Sequence, residues 1–370
     1  MTKVKFVIKV KGQPSSKKKL RNKELWKRAV AHFNFDHVLD PTTKNWNVYE
    51  VIAPIVQSFK DGYNGTILAY GQALSGKTYT MMGTAADPGV KVLAIRQLMC
   101  ERIFSSTRCF IIRVGYMEIL NEVVFDLLNQ RELVYFCQRS KNKIEHTNRE
   151  IFVKDEASIL QLLDEGNKQL APKSSSSTVF QIIIESQDEA IEDEPVRLSY
   201  LNLVELNDSE GLLTKTTSRN KSIECLKLAF EALSDGKPFE NCSESKLTTL
   251  LASTCMGNAN IAIICNIVPT VLDQTYNLLS FVDKFRNVET PLCDYTDYSI
   301  LTKLQCRIEQ LIENGAEENS DEIEKLKSVF LTEEDMRDDA GSCKIFKEVL
   351  PLFSESHNKL DCKYHIIKMV

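Results

Sequence analysis

The chain has 370 residues, 43% of them hydrophobic and 26% charged, with a formal net charge of -5 at pH 7. That length holds one large α/β domain with an appendage or two domains, and that balance excludes a disordered tail. The acidic net charge argues against a general nucleic-acid binder, which carries a basic face.

Met1 to Phe6 has no apolar leader core, and apolar runs such as Ile261 to Cys265 are strand-length, not membrane-length. We therefore expect an intracellular protein without a membrane partner. Eleven cysteines without a C-x-x-C pair form neither a zinc pattern nor a disulfide framework. They are read as buried small hydrophobes in a reducing compartment.

In chain order, Val4 to Val10 alternates loosely before Gly12 and predicts a strand. Ser15 to Lys23 is a basic run, read as a solvated loop, an acidic-partner contact or a nuclear address. Phe33 to Leu39 predicts a short strand ending at Asp40-Pro41. Val48, Val51, Ile52, Ile55 and Val56 have helical spacing, with Pro54 as a kink point.

Next comes Thr66 to Tyr70, a strand-like run, followed at once by Gly71, Gln72, Ala73, Leu74, Ser75, Gly76, Lys77 and Thr78. These eight residues fit G-x-x-x-x-G-K-[ST]. In that geometry successive backbone N–H groups and a helix N-terminus surround a polyphosphate. Lys77 would meet the β- and γ-phosphates and the Thr78 hydroxyl Mg²⁺. Tyr79, in the helix that runs to a stop at Gly83, joins the nucleotide-contacting set. A Gly-Lys-Thr turn also arises by chance, but the strand before it and the helix after it favour the nucleotide reading.

Beyond the loop, Phe110 to Leu120 predicts a long strand, followed by the run Val123 to Leu128, and Ser158 to Gly166 predicts a helix with a serine cap and a glycine stop. Strands over Thr178 to Glu185 and Leu198 to Glu205 flank an acid-rich hairpin loop. Helices over Ile223 to Leu233 and Ser245 to Leu251, then a buried strand at Ile261 to Ile267, complete an alternating pattern. Such a pattern implies a mostly parallel sheet covered on both faces. From about Asn287 the chain turns polar and acidic. Leu301, Leu304, Ile308 and Leu311 keep a 3-4 spacing only until Gly315, too short for a coiled coil to hold alone.

Several stretches together resemble a kinesin motor domain. They are Thr42-Thr-Lys-Asn45, Val48-Tyr-Glu50, Gly62 to Gln72 and Ser75 to Gly83, then Tyr116-Met-Glu-Ile119, Asn121-Glu122 and Asp126-Leu-Leu128. Leu201 to Glu210, Asn220-Lys-Ser222, Ser245-Lys-Leu-Thr248, Gly257-Asn-Ala259 and Leu278-Leu-Ser-Phe281 follow in the family's order. The resemblance covers about residues 4 to 290 and is greatest to the centromere-associated kinesins.

It implies a P-loop NTPase three-layer fold over residues 1–289, with a central, mainly parallel eight-stranded sheet and helices on both faces. It also implies ATP with Mg²⁺, hydrolysis coupled to movement on microtubules, and a place in the cytoplasm on the microtubule or spindle cytoskeleton. Residues 290–370 then resemble a neck linker with a short coiled coil and a helical tail, and a monomer or weak dimer is expected.

The chain departs from the family at the segments that read the γ-phosphate. The first switch, N-x-x-S-S-R-S-H in the family, corresponds to Lys173-Ser-Ser-Ser-Ser-Thr-Val-Phe180, where Ser175 or Ser176 takes the arginine's place according to register. Its lead-in is also shorter than the family pattern. The second, D-L-A-G-S-E, reads Glu205-Leu-Asn-Asp-Ser-Glu210, so Asp208 replaces a glycine and sets a carboxylate near the phosphate. The resemblance assigns catalytic roles to Ser176, Ser177, Glu205 and Glu210, with Glu210 left without its arginine.

The family's base-packing R-x-R-P reads Lys9-Val-Lys-Gly12. Of the cations facing the acidic track, Lys215, Arg219, Lys221 and Lys246 remain as candidates, while Ser243 stands where an arginine is usual. The expectation is an ATP-binding, microtubule-associated motor domain with weakened or lost hydrolysis. The alternatives are an active ATP-driven motor and a P-loop ATPase put to an unrelated use.

Overall fold

The computed structural model describes residues 2–11, 35, 37–100, 108–140, 143–171, 176–188, 196–206, 218–237, 239, 241–268, 272–283, 285 and 288–290. The basic run at 15–23, the acidic loop at 189–195 and the neck-like tail from 291 lie outside the described residues.

The described chain opens with β1 (Thr2–Lys3), β2 (Lys5–Val10) and β3 (His37–Leu39). Helix α1 (Asn45–Lys60) buries Val48, Ile52, Ile55, Val56 and Phe59, a stripe at three- and four-residue spacing. Pro54 falls on its exposed side, so the helix passes through it. β4 (Gly65–Gly71) is buried at every position, as a central strand covered on both faces must be. It feeds α2 (Lys77–Met82) and then α3 (Val90–Cys100).

A run of strands follows: β5 (Arg108–Leu120), β6 (Val123–Asp126), β7 (Glu132–Leu133), β8 (Phe136–Ser140), β9 (Lys143–His146) and β10 (Ile151–Val153). Then come α4 (Glu156–Gln169), β11 (Ser177–Asp188), β12 (Arg197–Glu205) and α5 (Ser218–Ser234). The remaining elements are α6 (Lys246–Leu250), α7 (Ala252–Cys255), β13 (Asn260–Ile267), α8 (Leu272–Asp283) and β14 (Glu289–Thr290). β14 pairs antiparallel with β1, joining the two ends of the described chain.

Ten strands form one sheet, ordered β3-β2-β13-β4-β12-β11-β5-β6-β7 with β10 on β5. The expected three-layer class stands, but the sheet is wider than eight strands and mixed. Its β3 to β12 half is parallel. From β12 outward every pairing is antiparallel. The cause is local: a two-residue connection such as Asn121-Glu122 between β5 and β6 joins only antiparallel neighbours, whereas parallel strands need a crossover.

Each sheet face packs its own core. Ile67, Ala69, Phe180, Ile182 and Leu203 meet α1 to α4, while Leu68, Tyr70, Val179, Val204 and Ile263 meet α5 to α8. Each fully buried branched or aromatic side chain contributes roughly 1.5–3 kcal/mol relative to exposure, which makes the sheet a rigid support for the loops at its edge. Cys225, Cys242, Cys255 and Cys265 are free thiols and buried, as small hydrophobes are. No helix among the described residues is long and apolar enough to cross a membrane.

Helix α4 differs from expectation at both ends. Asp155, not Ser158, is the cap: its Oδ1 accepts the Ser158 N–H at 2.6 Å. Gly166 does not stop the helix. A Cβ there would come within 2.3 Å of the Tyr116 ring, so the glycine serves close packing while the helix runs on to Gln169.

Candidate functional site

The phosphate loop sits at the C-terminal end of β4, where β13 and β12 flank it in parallel. Gly71 has room for nothing larger, since a Cβ would come within 2.1 Å of the Asn266 carbonyl oxygen. Gly76 caps α2 at φ +96°, and a Cβ there would meet nothing within 4 Å. The strand is thus held tightly on its β13 side, and open space lies where the loop turns into the helix.

The side chains of the loop divide between holding it and facing that space. Gln72 donates to Thr275 Oγ1 at 2.9 Å and accepts from the Val268 N–H at 2.6 Å, which ties the loop to α8 and the end of β13. Leu74 is 85% exposed at φ +56°, and the Lys11 ammonium donates to its carbonyl oxygen. Lys77 is buried and its ammonium donates to the Gly71 and Gln72 carbonyls at 3.0 and 2.9 Å. Ser75 is buried, and its hydroxyl has no hydrogen-bond partner among the described residues. A buried orphan hydroxyl costs about 1–3 kcal/mol, a cost that an anion bound in the loop would relieve.

The Thr78 hydroxyl donates to Glu205 Oε1 at the end of β12. The added methylene of glutamate therefore does not prevent this meeting of an alcohol and a carboxylate, the oxygen donors that suit Mg²⁺. Among the described residues there is no cluster of three or more His, Cys, Asp or Glu arranged to hold a metal. A divalent ion here fits the pattern in which phosphate and water oxygens supply the remaining ligands.

On the other side of α2, Tyr79 is 45% exposed and its hydroxyl donates to Asp87 at 2.6 Å, which raises the phenol pKa. The Lys9 ammonium lies 5.3 Å from the Tyr79 ring centroid and donates to Asn45 Oδ1. Burial pushes its pKa down to about 8 against the pull of Asp87. Asn45 in turn donates from Nδ2 to the Tyr79 carbonyl oxygen at 3.0 Å. Asn45 belongs to the Thr42-Thr-Lys-Asn45 motif without a role assigned by it, and Asp87 belongs to no motif. Asn45 opens α1, and its partners are 34 and 42 residues away in sequence, beyond the reach of any local pattern.

Of the first predicted switch, Ser176 and Ser177 stand at the start of β11. Ser176 donates to Glu118 Oε1 at 2.7 Å, and that fully buried carboxylate also accepts from Arg131 Nε at 2.9 Å. Ser177 is the first residue of β11 and is buried. β11 lies two strands from β4, about 10 Å along the sheet. Asp208, Glu210 and Lys215 lie outside the described residues.

Of the candidate track-facing cations, Arg219 lies in the first turn of α5 and Lys221 is exposed in the same helix. Lys246 opens α6 with its ammonium 4.5 Å from the Phe136 ring centroid.

Comparison with known proteins gives concordant results. Residues 2–288 match the profile of the kinesin motor domain. The chain is 35% identical over 347 residues to human centromere-associated protein E, covering 82% of this chain and 12% of that protein. It is 34% identical over 324 residues to kinesin-like protein KIN-7N of Arabidopsis thaliana, covering 76% of this chain and 38% of the relative. The chain thus spans well under half the length of these relatives. A solved structure of a fast kinesin superposes with a TM-score of 0.67 at 23% identity, covering 80% of this chain and 95% of that one.

Proposed function

The chain belongs to the kinesin motor domain family, and from that premise we propose that it binds Mg²⁺-ATP and associates with microtubules but hydrolyses ATP slowly or not at all. Bound ATP with Mg²⁺ supplies a transferable γ-phosphoryl group whose charge the metal partly neutralises. In this reading the backbone of Gly71 to Thr78 cradles the phosphates, and the Lys77 ammonium leaves the Gly71 and Gln72 carbonyls for phosphate oxygens. Thr78 and Glu205 hold the metal side, and Tyr79 with the buried Lys9 borders the base.

The observation that carries the weakened chemistry is at Ser176. Its hydroxyl is engaged by Glu118, and no arginine stands anywhere from Lys173 to Phe180. Phosphoryl transfer in such sites rests on positioning and on charge stabilisation. Losing the arginine and introducing Asp208 lowers turnover on the order of 10²-fold or more. Binding is spared, because the loop's contacts come from backbone and from Lys77.

One contact favours the alternative, an active motor: Glu205 reaches Thr78 despite its altered length. ATP affinity and turnover measured on the same sample, with and without microtubules, separate the two readings. Tubulin association is assigned to the surface carrying Arg219, Lys221 and Lys246, with Lys215 in the segment between β12 and α5. A cytoskeletal location and a monomeric state follow from the same reading, and a dimer mass in sedimentation would contradict the latter.

A further inference from the structure

A second carboxylate, Glu122, is built into the fold away from the phosphate loop, and nothing in the nucleotide reading uses it. Asn121 and Glu122 make the two-residue turn between β5 and β6, both at positive φ, 53° and 63°. A hairpin this tight requires that conformation at both positions, and asparagine followed by glycine is the pair that adopts it cheaply. Glutamate does not, so something else holds it there.

The side chain supplies the reason. Glu122 Oε1 accepts from the Ser222 hydroxyl in α5 and from the Ser245 hydroxyl at 3.2 Å. Its Oε2 accepts the backbone N–H of Lys246 at 2.8 Å. Ser222 and Ser245 are both buried, and their hydroxyl oxygens lie 3.4 Å apart. One carboxylate therefore joins a strand turn, the second turn of α5 and the first residue of α6. The Lys246 ammonium is held from the other side by the Phe136 ring of β8. Thus the cation has its backbone fixed by Glu122 and its side chain laid on an aromatic face.

We propose that Glu122 is a positioning residue: it locks α6 to α5 and so sets Lys246, making the two helices and the β5–β6 turn a single rigid surface for an acidic polymer. The polymer part rests on the microtubule reading given above; the locking part rests on the hydrogen bonds alone. A carboxylate accepts from all three donors, and alanine at this position keeps the positive-φ turn while offering no acceptor; a glutamine would not discriminate, since its oxygen can accept from the Lys246 N–H while its NH₂ donates to the serine hydroxyls.

The test uses the full chain as wild type, Glu122→Ala, Glu122→Gly and Lys246→Ala. It reads amide hydrogen exchange over 245–251, affinity for a fluorescent ATP analogue, and cosedimentation with microtubules at low salt. In Glu122→Ala, exchange at Lys246 and through α6 should rise about 10-fold or more, while phosphate-loop exchange and analogue affinity stay at wild-type values. Microtubule affinity should fall at least as far as in Lys246→Ala.

Glu122→Gly relaxes the turn yet loses the carboxylate, so it should show the same faster exchange, which separates the clasp from the strain. Wild-type exchange over 245–251 in Glu122→Ala, or protection lost equally in the phosphate loop, overturns the proposal. A wild-type chain that does not cosediment contradicts the microtubule reading instead; the exchange result reads the locking role independently of it.

Discussion

The phosphate loop and the start of β11 lie two strands apart on one sheet, and they treat their polar groups in opposite ways. In the loop, the shape is held by the backbone, by Gly71 pressed against Asn266 and by Gln72 anchored to Thr275 and Val268. The groups that would meet a phosphate are kept in place beside open space. At the start of β11, Ser176 is tied to Glu118, which Arg131 also holds. The contrast teaches that a cradle made of main-chain atoms and glycines outlasts substitution around it. In the proposed reading, a sensor made of side chains is weakened by one or two replacements.

The sharpest way to break the comparison is at the backbone. Gly71→Ala forces a Cβ into the Asn266 carbonyl, and we expect a loss of about 3 kcal/mol or more. A thermal melt should then show a Tm lower by roughly 10 °C; an unchanged Tm would mean that the strand end is looser than its packing indicates. Lys77→Ala should leave the fold intact and weaken Mg²⁺-ATP binding about 100-fold, the loss of charge-assisted bonds to phosphate, as read by equilibrium titration.

Restoring the sensor sharpens the comparison from the other side. Ser175→Arg combined with Asp208→Gly should raise turnover roughly 10-fold with little change in ATP affinity. If Ser176→Arg with Asp208→Gly does better in a steady-state assay, the other register is the correct one. A combined variant that stays silent in both registers would place the fault outside these two substitutions.

The smallest effect concerns Lys9. Its pKa is about 8 in the fold against an ordinary 10.5, so between those values the unfolded chain binds more protons and stability rises with pH. Below pH 8 the buried charge counts fully against the fold. Lys9→Met should remove that rise, so its Tm advantage over wild type is greatest near neutral pH and shrinks by pH 10; a constant difference would show that Lys9 is well solvated.

Much of this was legible in the sequence because the signals were local. The loop from Gly71 to Thr78, the run feeding it and the helical stripe of Val48 to Val56 are each written within one short window, and all appear where expected. The mixed character of the sheet was less legible, since Phe110 to Leu120 and Thr178 to Glu185 read as strands without showing whether neighbours run parallel. Gly166 misled for a related reason: a glycine near a helix end is usually a stop, and only the fold reveals the Tyr116 ring above it. The engagement of Ser176 by Glu118 links residues 58 apart, and Glu122 reaches residues 100 and 124 apart. No periodicity or spacing carries such pairs.

The measurement that tests the central claim most directly is ATP binding and turnover on one purified sample at low salt, with and without microtubules. The account predicts Mg²⁺-ATP binding that depends on Lys77, with turnover that microtubules do not stimulate. Stimulated turnover above about 1 s⁻¹, within the ordinary range of enzymes, would contradict it and show that the segment from Lys173 to Ser177 closes on the phosphates without an arginine.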